Sequence, residues 1–162
     1  MSNVLLVYYS RTGYTASIAR QIAHLENWDI DEIRDAHSRV GPFGFVRSLF
    51  DVLLGRHPAI EDGKVDPSKY DLVVLGASVW MKQLASPMRT YIGRHKNGFR
   101  NIAFFCTYGG QGAENAARQC AMLAAKPLTA TLAITDNEIE QAAYWPKLDE
   151  FIQRLRQVAG NP

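Results

Sequence analysis

The chain has 162 residues, 47% of them hydrophobic and 21% charged, with a formal net charge of +2. Those proportions exclude a disordered chain, and the length suits one α/β domain over residues 1–162 with a single sizeable core. The small positive excess contains no Lys/Arg-rich run, which excludes a surface that tracks nucleic acid, and no apolar stretch reaches the ~18 residues that span a bilayer.

Two cysteines, Cys106 and Cys120, are too few for a disulfide framework and sit in apolar runs, as packed core thiols do. Met1-Ser2-Asn3 leads straight into a strand-like run without the apolar region of a signal peptide, so a reducing, cytoplasmic setting is expected.

In chain order, residues 4–9 form a short apolar run suited to a buried strand. Residues 15–25 follow with Ile18, Ala19, Ile22 and Leu25 at helical spacing. Residues 28–33 alternate with period two, as a strand near a sheet edge does. Residues 71–76 are another buried run, followed by a helical pattern over 87–95, with Ser86 placed as its cap and Pro87 at its first position. A strand at 102–106, a helix at 114–124 and a strand at 128–134 come next, and an amphipathic helix over 145–158 closes the order. Five strands alternating with helices predict a parallel sheet covered on both faces, because parallel strands need crossover connections.

The connection over residues 34–69 exceeds the minimal plan. Phe43, Val46, Leu49, Phe50, Leu53 and Leu54 share one helical face there, and Arg39, Arg47, Arg56 and His57 make the segment locally basic. A crossover helix covering the sheet is the expected reading; flanking loops that overhang a cleft are the alternative.

Ligands of open α/β sheets bind outside the carboxyl ends of the strands, which directs attention to the loops after strands one, three and four. The first is Ser10-Arg11-Thr12-Gly13-Tyr14-Thr15, between a strand and a helix. Helix N–H groups, three hydroxyls and a glycine that lets the backbone come close make an anion site, to which Arg11 can add charge. Its spacing matches neither the Gly-x-x-x-x-Gly-Lys nor the Gly-x-Gly-x-x-Gly phosphate motif.

The second loop runs through Ala77, Ser78, Val79 and Trp80, where small residues precede an aromatic surface on which a flat ring could stack; a tryptophan buried under the next helix fits Trp80 alone equally well. The third holds Thr107, Tyr108, Gly109, Gly110 and Gln111, a second aromatic beside glycines whose backbone groups can line a ligand edge. Together these loops describe a site for a flat aromatic ring that carries one phosphate.

Ser10-x-Thr12-Gly13-x-Thr15 after a first strand resembles the FMN-phosphate loop of flavodoxins and related flavodoxin-like flavoproteins, and the segments with Trp80 and Tyr108 resemble the two that bracket the isoalloxazine ring. The resemblance implies a five-stranded parallel sheet in the order 2-1-3-4-5, of the short-chain type. It implies FMN as cofactor, held by Ser10 to Thr15, 77–80 and 107–111, and transfer of electrons to a redox partner protein or a small-molecule acceptor.

One departure bears on the chemistry. Residues 76–86 and 104–113 carry no Asp or Glu, so the reduced cofactor is expected to have a less negative potential than in acidic members. Two other readings stay open: an FMN-dependent NAD(P)H:quinone-type oxidoreductase, and a flavin-free interaction module on the same fold. His24, His37, His57 and His95 show no metal-ligand spacing, and no Ser/His/Asp constellation can be assembled.

Overall fold

A computed structural model describes residues 3–36, 46, 60, 61 and 63–160. Its first strand, β1 (Val4–Tyr8), is buried at every position. That is why it reads as an unbroken apolar run: helices cover both of its faces, so neither set of alternating side chains meets water. The helix α1 (Tyr14–Glu26) follows, then the edge strand β2 (Asp29–Glu32), where burial drops at once. The central strands β3 (Leu72–Trp80) and β5 (Asn101–Tyr108) flank each other, and β6 (Leu128–Thr135) alternates in burial because it forms the far edge.

The five main strands are parallel in the order β2-β1-β3-β5-β6, which is the expected 2-1-3-4-5 arrangement. A sixth strand was not expected: β4 (Gln83–Leu84) returns antiparallel onto the end of β3. The two-residue hairpin between them holds Met81 at φ +47° and Lys82 at φ +63°, the positive pair that a type I′ turn requires. Neither residue is a usual turn former, so local sequence gives no warning of this turn.

Two apolar layers fix the helices. Ile18 and Ile22 of α1, with Leu148, Phe151 and Leu155 of α5 (Trp145–Gly160), pack on Leu6, Phe105 and Leu132 of the sheet. On the opposite face Met88 and Ile92 of α2 (Ser86–His95), with Ala116 and Cys120 of α3 (Ala113–Ala124), cover Leu5, Leu75 and Phe104. A short helix, α4 (Asp136–Glu140), is inserted after β6.

Three local expectations change. Strand β3 runs on to Trp80, because cross-strand bonds to β4 and to β5 carry the extended backbone past Gly76; residues 77–80 are strand, not loop. Ser86 is the first residue inside α2 rather than its cap, and its buried hydroxyl accepts a hydrogen bond from Arg89 at 2.8 Å. The helix read over residues 43–54 lies outside the described residues apart from Val46.

Strands β1 and β3 are neighbours, and β2 lies on the far side of β1, so the chain reverses direction across the sheet between β1 and β3. The crevice at that reversal lies between the loops after β1 and β3. Gly76 sits just below it, paired with Phe105, and a side chain there would be driven into the Phe105 ring. Phe105 is 0% exposed and has nowhere to retreat. Gly76→Ala is therefore expected to cost about 1–3 kcal/mol through overpacking, seen as a lower urea midpoint with an unchanged m-value.

Candidate functional site

The loop after β1 is folded by its own first hydroxyl. Ser10 Oγ accepts a hydrogen bond from the Gly13 N–H at 3.1 Å, and Gly13 takes φ +101°, a conformation that suits glycine. No side chain caps α1, so the N–H groups of its first turn point into the space above the loop together with the positive end of the helix dipole. Thr12 and Gly13 are exposed there, and Ser10, Arg11 and Tyr14 are half-buried.

Thr15 does something else. It is buried, and its Oγ1 lies 2.8 Å from Thr107 Oγ1 and 3.2 Å from Ser78 Oγ. One hydroxyl thus joins the start of α1 to the carboxyl ends of β3 and β5. The three loops singled out from sequence are brought together around this triangle.

Above it lies a cleft of about 110 Å³, lined by Arg11, Thr12, Tyr14, Ser78, Val79, Trp80, Thr107, Tyr108, Gly109 and Asp136. Trp80 is mostly buried, packs edge-on against Tyr9 with ring centroids 5.6 Å apart, and still contributes to the cleft wall. Arg11 places its guanidinium 5.8 Å from the centre of the Trp80 ring, a cation–π contact. Tyr108 is half-buried at the end of β5 and stands between the cleft and a neighbouring groove of about 450 Å³, which Gly110 and Gln111 also line. Gly109, Gly110 and Gln111 are exposed, whereas Ala77 is fully buried under the loops.

The second and third loops support each other. Lys82 backs directly onto Gly112, where any side chain would overlap the Lys82 backbone. From α3, Asn115 Nδ2 donates to the Lys82 carbonyl and Gln119 Oε1 accepts from the Leu84 N–H, both at 2.8 Å. These contacts hold the strained hairpin that Met81 and Lys82 form. Cys106, just below the third loop, is buried, and burial pushes its thiol up to about 12, so it stays protonated and unreactive. Among the described residues no group of three or more His, Cys, Asp or Glu side chains comes within reach of a common metal ion, and no helix is long and apolar enough to cross a membrane.

One lining residue comes from a fourth loop that sequence reasoning passed over. Asp136 follows β6, and one of its oxygens lies 3.9 Å from where a side chain on Gly109 would begin. Burial, then the neighbouring Glu140, raise the Asp136 pKa above the usual aspartate range. Residues 76–86 and 104–113 carry no carboxylate, and Asp136 brings one to the cleft from beyond β6. The signal that could have found Asp136 was its place directly after a parallel strand, in a Thr135-x-x-Glu138 capping box.

Neither a protein-family model nor a curated protein sequence matches the chain. Solved structures do. A flavoprotein from Lactobacillus acidophilus NCFM, crystallised in complex with FMN, is 21% identical with a TM-score of 0.73, over 88% of this chain and 99% of that one. A candidate flavoprotein from Bacteroides eggerthii DSM 20697 is 24% identical with a TM-score of 0.72, over 93% and 98%. An NADH:FMN oxidoreductase in its apo form is 9% identical with a TM-score of 0.61, over 99% and 91%. At these identities the likeness is one of architecture: the chain has a flavodoxin-like fold.

Two outcomes follow from the site's supports. Thr15→Val keeps the shape and strands the buried Thr107 hydroxyl, so it should cost about 1–3 kcal/mol in chemical denaturation. Glu138 is held below the usual glutamate range first by Lys147, whose Nζ lies 2.6 Å away, then by the Thr135 backbone. A lowered folded-state pKa gives stability that is present above the unfolded value and lost as pH falls through the folded one. Glu138→Gln keeps a cap-forming side chain and should cost under about 1 kcal/mol at neutral pH, given the exposure of its partner Lys147; that difference should vanish in acid melts.

Proposed function

We propose that the cleft binds FMN and that the protein is an electron carrier, passing electrons from the cofactor to a redox partner protein or a small-molecule acceptor. The observation that carries this reading is the uncapped N-terminus of α1 behind Gly13, opening onto a cleft whose other walls are aromatic. A ligand that fits has one phosphate and one flat ring, and FMN has both. The FMN in the Lactobacillus acidophilus structure supports the same reading, since that protein shares the architecture.

In this assignment the backbone N–H groups of Tyr14 and Thr15 and the hydroxyls of Ser10 and Thr12 hold the phosphate, on a loop shaped by the Gly13–Ser10 bond. Arg11 offsets part of its charge, Tyr14 closes the outer side, and Thr15 keeps the loop seated on β3 and β5. Ser78, Val79 and Trp80 form one wall for the ring, with Ala77 buried in β3 beneath it. Thr107, Tyr108 and Gly109 form the other, with Tyr108 as the stacking surface, and the exposed Gly109, Gly110 and Gln111 lend backbone polar groups to the ring edge. Bound FMN supplies reversible one- and two-electron chemistry, and the protein supplies position and electrostatics.

A second reading, an FMN-dependent NAD(P)H oxidoreductase, has one structural feature in its favour. The groove beyond Tyr108 lies beside the proposed ring site and has room for part of a second ligand. Rapid oxidation of NADH or NADPH by the FMN-loaded protein would select it; electron delivery only from a reductase partner would select the carrier.

Fluorescence titration tests the binding reading directly. Wild-type protein should quench FMN with a saturable isotherm and bind riboflavin more weakly, because riboflavin lacks the phosphate. Thr12→Ala should weaken FMN alone, and Tyr108→Ala should weaken FMN and riboflavin alike by about threefold to tenfold. Absence of quenching with either flavin would refute the reading.

A further inference from the structure

Asp136 is out of place in an anion site. It shares the cleft with Thr12, Tyr14 and Tyr108 and begins α4, directly after β6. Its position is built rather than incidental. Thr135 Oγ1 accepts from the Glu138 N–H at 3.1 Å, and the Glu138 carboxylate accepts from the Thr135 N–H at 2.9 Å, so both ends of the turn carrying Asp136 are pinned. Lys147 of α5 grips Glu138 from outside at 2.6 Å. At the far end of α4, the Tyr14 hydroxyl donates to Glu140 Oε1 at 2.8 Å and ties the short helix to the first residue of α1. Residues 126 positions apart in sequence thereby latch the fourth loop against the first.

We propose that Asp136, held against the cleft by the Tyr14–Glu140 latch, is a specificity-determining residue whose carboxylate opposes the anionic group bound at the α1 N-terminus and so limits the affinity of the phosphate. The proposal deepens the FMN reading by assigning the phosphate end of the site its own restraint.

The charge balance supports it. The site offers an anion the α1 dipole and Arg11, and sets Asp136 and Glu140 against them on one short helix. The groups that face Asp136 are Glu140 on its own helix, Tyr14 on α1, Arg11 in the first loop and Tyr108 on β5, with the Glu138–Lys147 pair behind it. Only Arg11 and Lys147 among these are cationic. Arg11 lies over the Trp80 ring, and Lys147 is engaged with Glu138. Asp136 therefore ionises against Glu140, and a phosphate dianion adds a further like charge. Protonation of Asp136 removes the opposition, so anion affinity rises as pH falls through its pKa.

The test uses Asp136→Asn in the full chain, with Glu150→Gln as a control that removes one charge from α5, outside the cleft. FMN and riboflavin are titrated by fluorescence. Sulfate, whose charge stays constant from about pH 4 to about pH 8, is titrated by NMR shifts across that range. Asp136→Asn should bind FMN and sulfate about threefold to tenfold more tightly at neutral pH, the size of one like charge partly screened by water. Riboflavin should be unmoved, and the control should match wild type.

Sulfate affinity should fall with rising pH in wild type and fall less steeply in the variant, which keeps the Glu140 carboxylate on α4. Tyr14→Phe opens the latch and should tighten sulfate in the same direction, which keeps the proposal testable if Asp136→Asn folds poorly. Sulfate tightening without flavin binding to either protein would uphold the role of Asp136 and defeat the FMN reading. FMN and riboflavin tightening together, or a sulfate isotherm indifferent to both variants, would overturn the proposal.

Discussion

A single buried hydroxyl organises the carboxyl end of the sheet. Thr15 lies in the first turn of α1, yet its Oγ1 reaches Ser78 on β3 and Thr107 on β5. A buried hydroxyl without a partner is costly, so the buried Thr15 and Thr107 hydroxyls have to meet, and the half-buried Ser78 joins them at the cleft. Their meeting fixes the height of α1 over the sheet and aims its N-terminus at the crevice. It also sets the separation of the first, second and third loops. The aromatic walls, the glycines and the anion-directed backbone groups are useful only at that separation.

Around this triangle the supports act in series. The Ser10–Gly13 bond shapes the first loop from within, and Asn115 and Gln119 of α3 carry the hairpin that ends in Trp80. The Tyr14–Glu140 bond brings in the fourth loop. Met81 and Lys82 are held at positive φ in a wall of this region, and α3 restrains that strain through side-chain bonds to backbone groups. The concentration of constraint at one sheet edge is what a preorganised binding site needs, because little ordering is left for the ligand to bring about.

Much of the architecture was legible before any coordinates. Continuous apolar runs at β1 and β3 announced strands buried on both faces, and alternation at β2 announced an edge. The first loop could be read because its signal is local: hydroxyls, a glycine and a helix start stand within six residues. The β4 hairpin was hidden, since its turn residues contradict their own preferences and are held by α3, more than thirty positions away. Trp80 illustrates the middle case. Sequence admitted both a buried and a ligand-facing tryptophan; the residue is mostly buried, packs edge-on against Tyr9 and lines the cleft wall.

By itself, then, the sequence determined the alternation of strands and helices, the strand order implied by its resemblance, and the place of the three segments that meet at the cleft, because periodicity and turn chemistry act over neighbouring residues. Only the tertiary structure decided that Thr15 serves as a tie between loops, that Ser86 is an internal hydrogen-bond acceptor, and that Asp136 joins the rim. Each of those roles depends on which distant backbone a side chain meets, and that is settled by how the layers pack on the sheet.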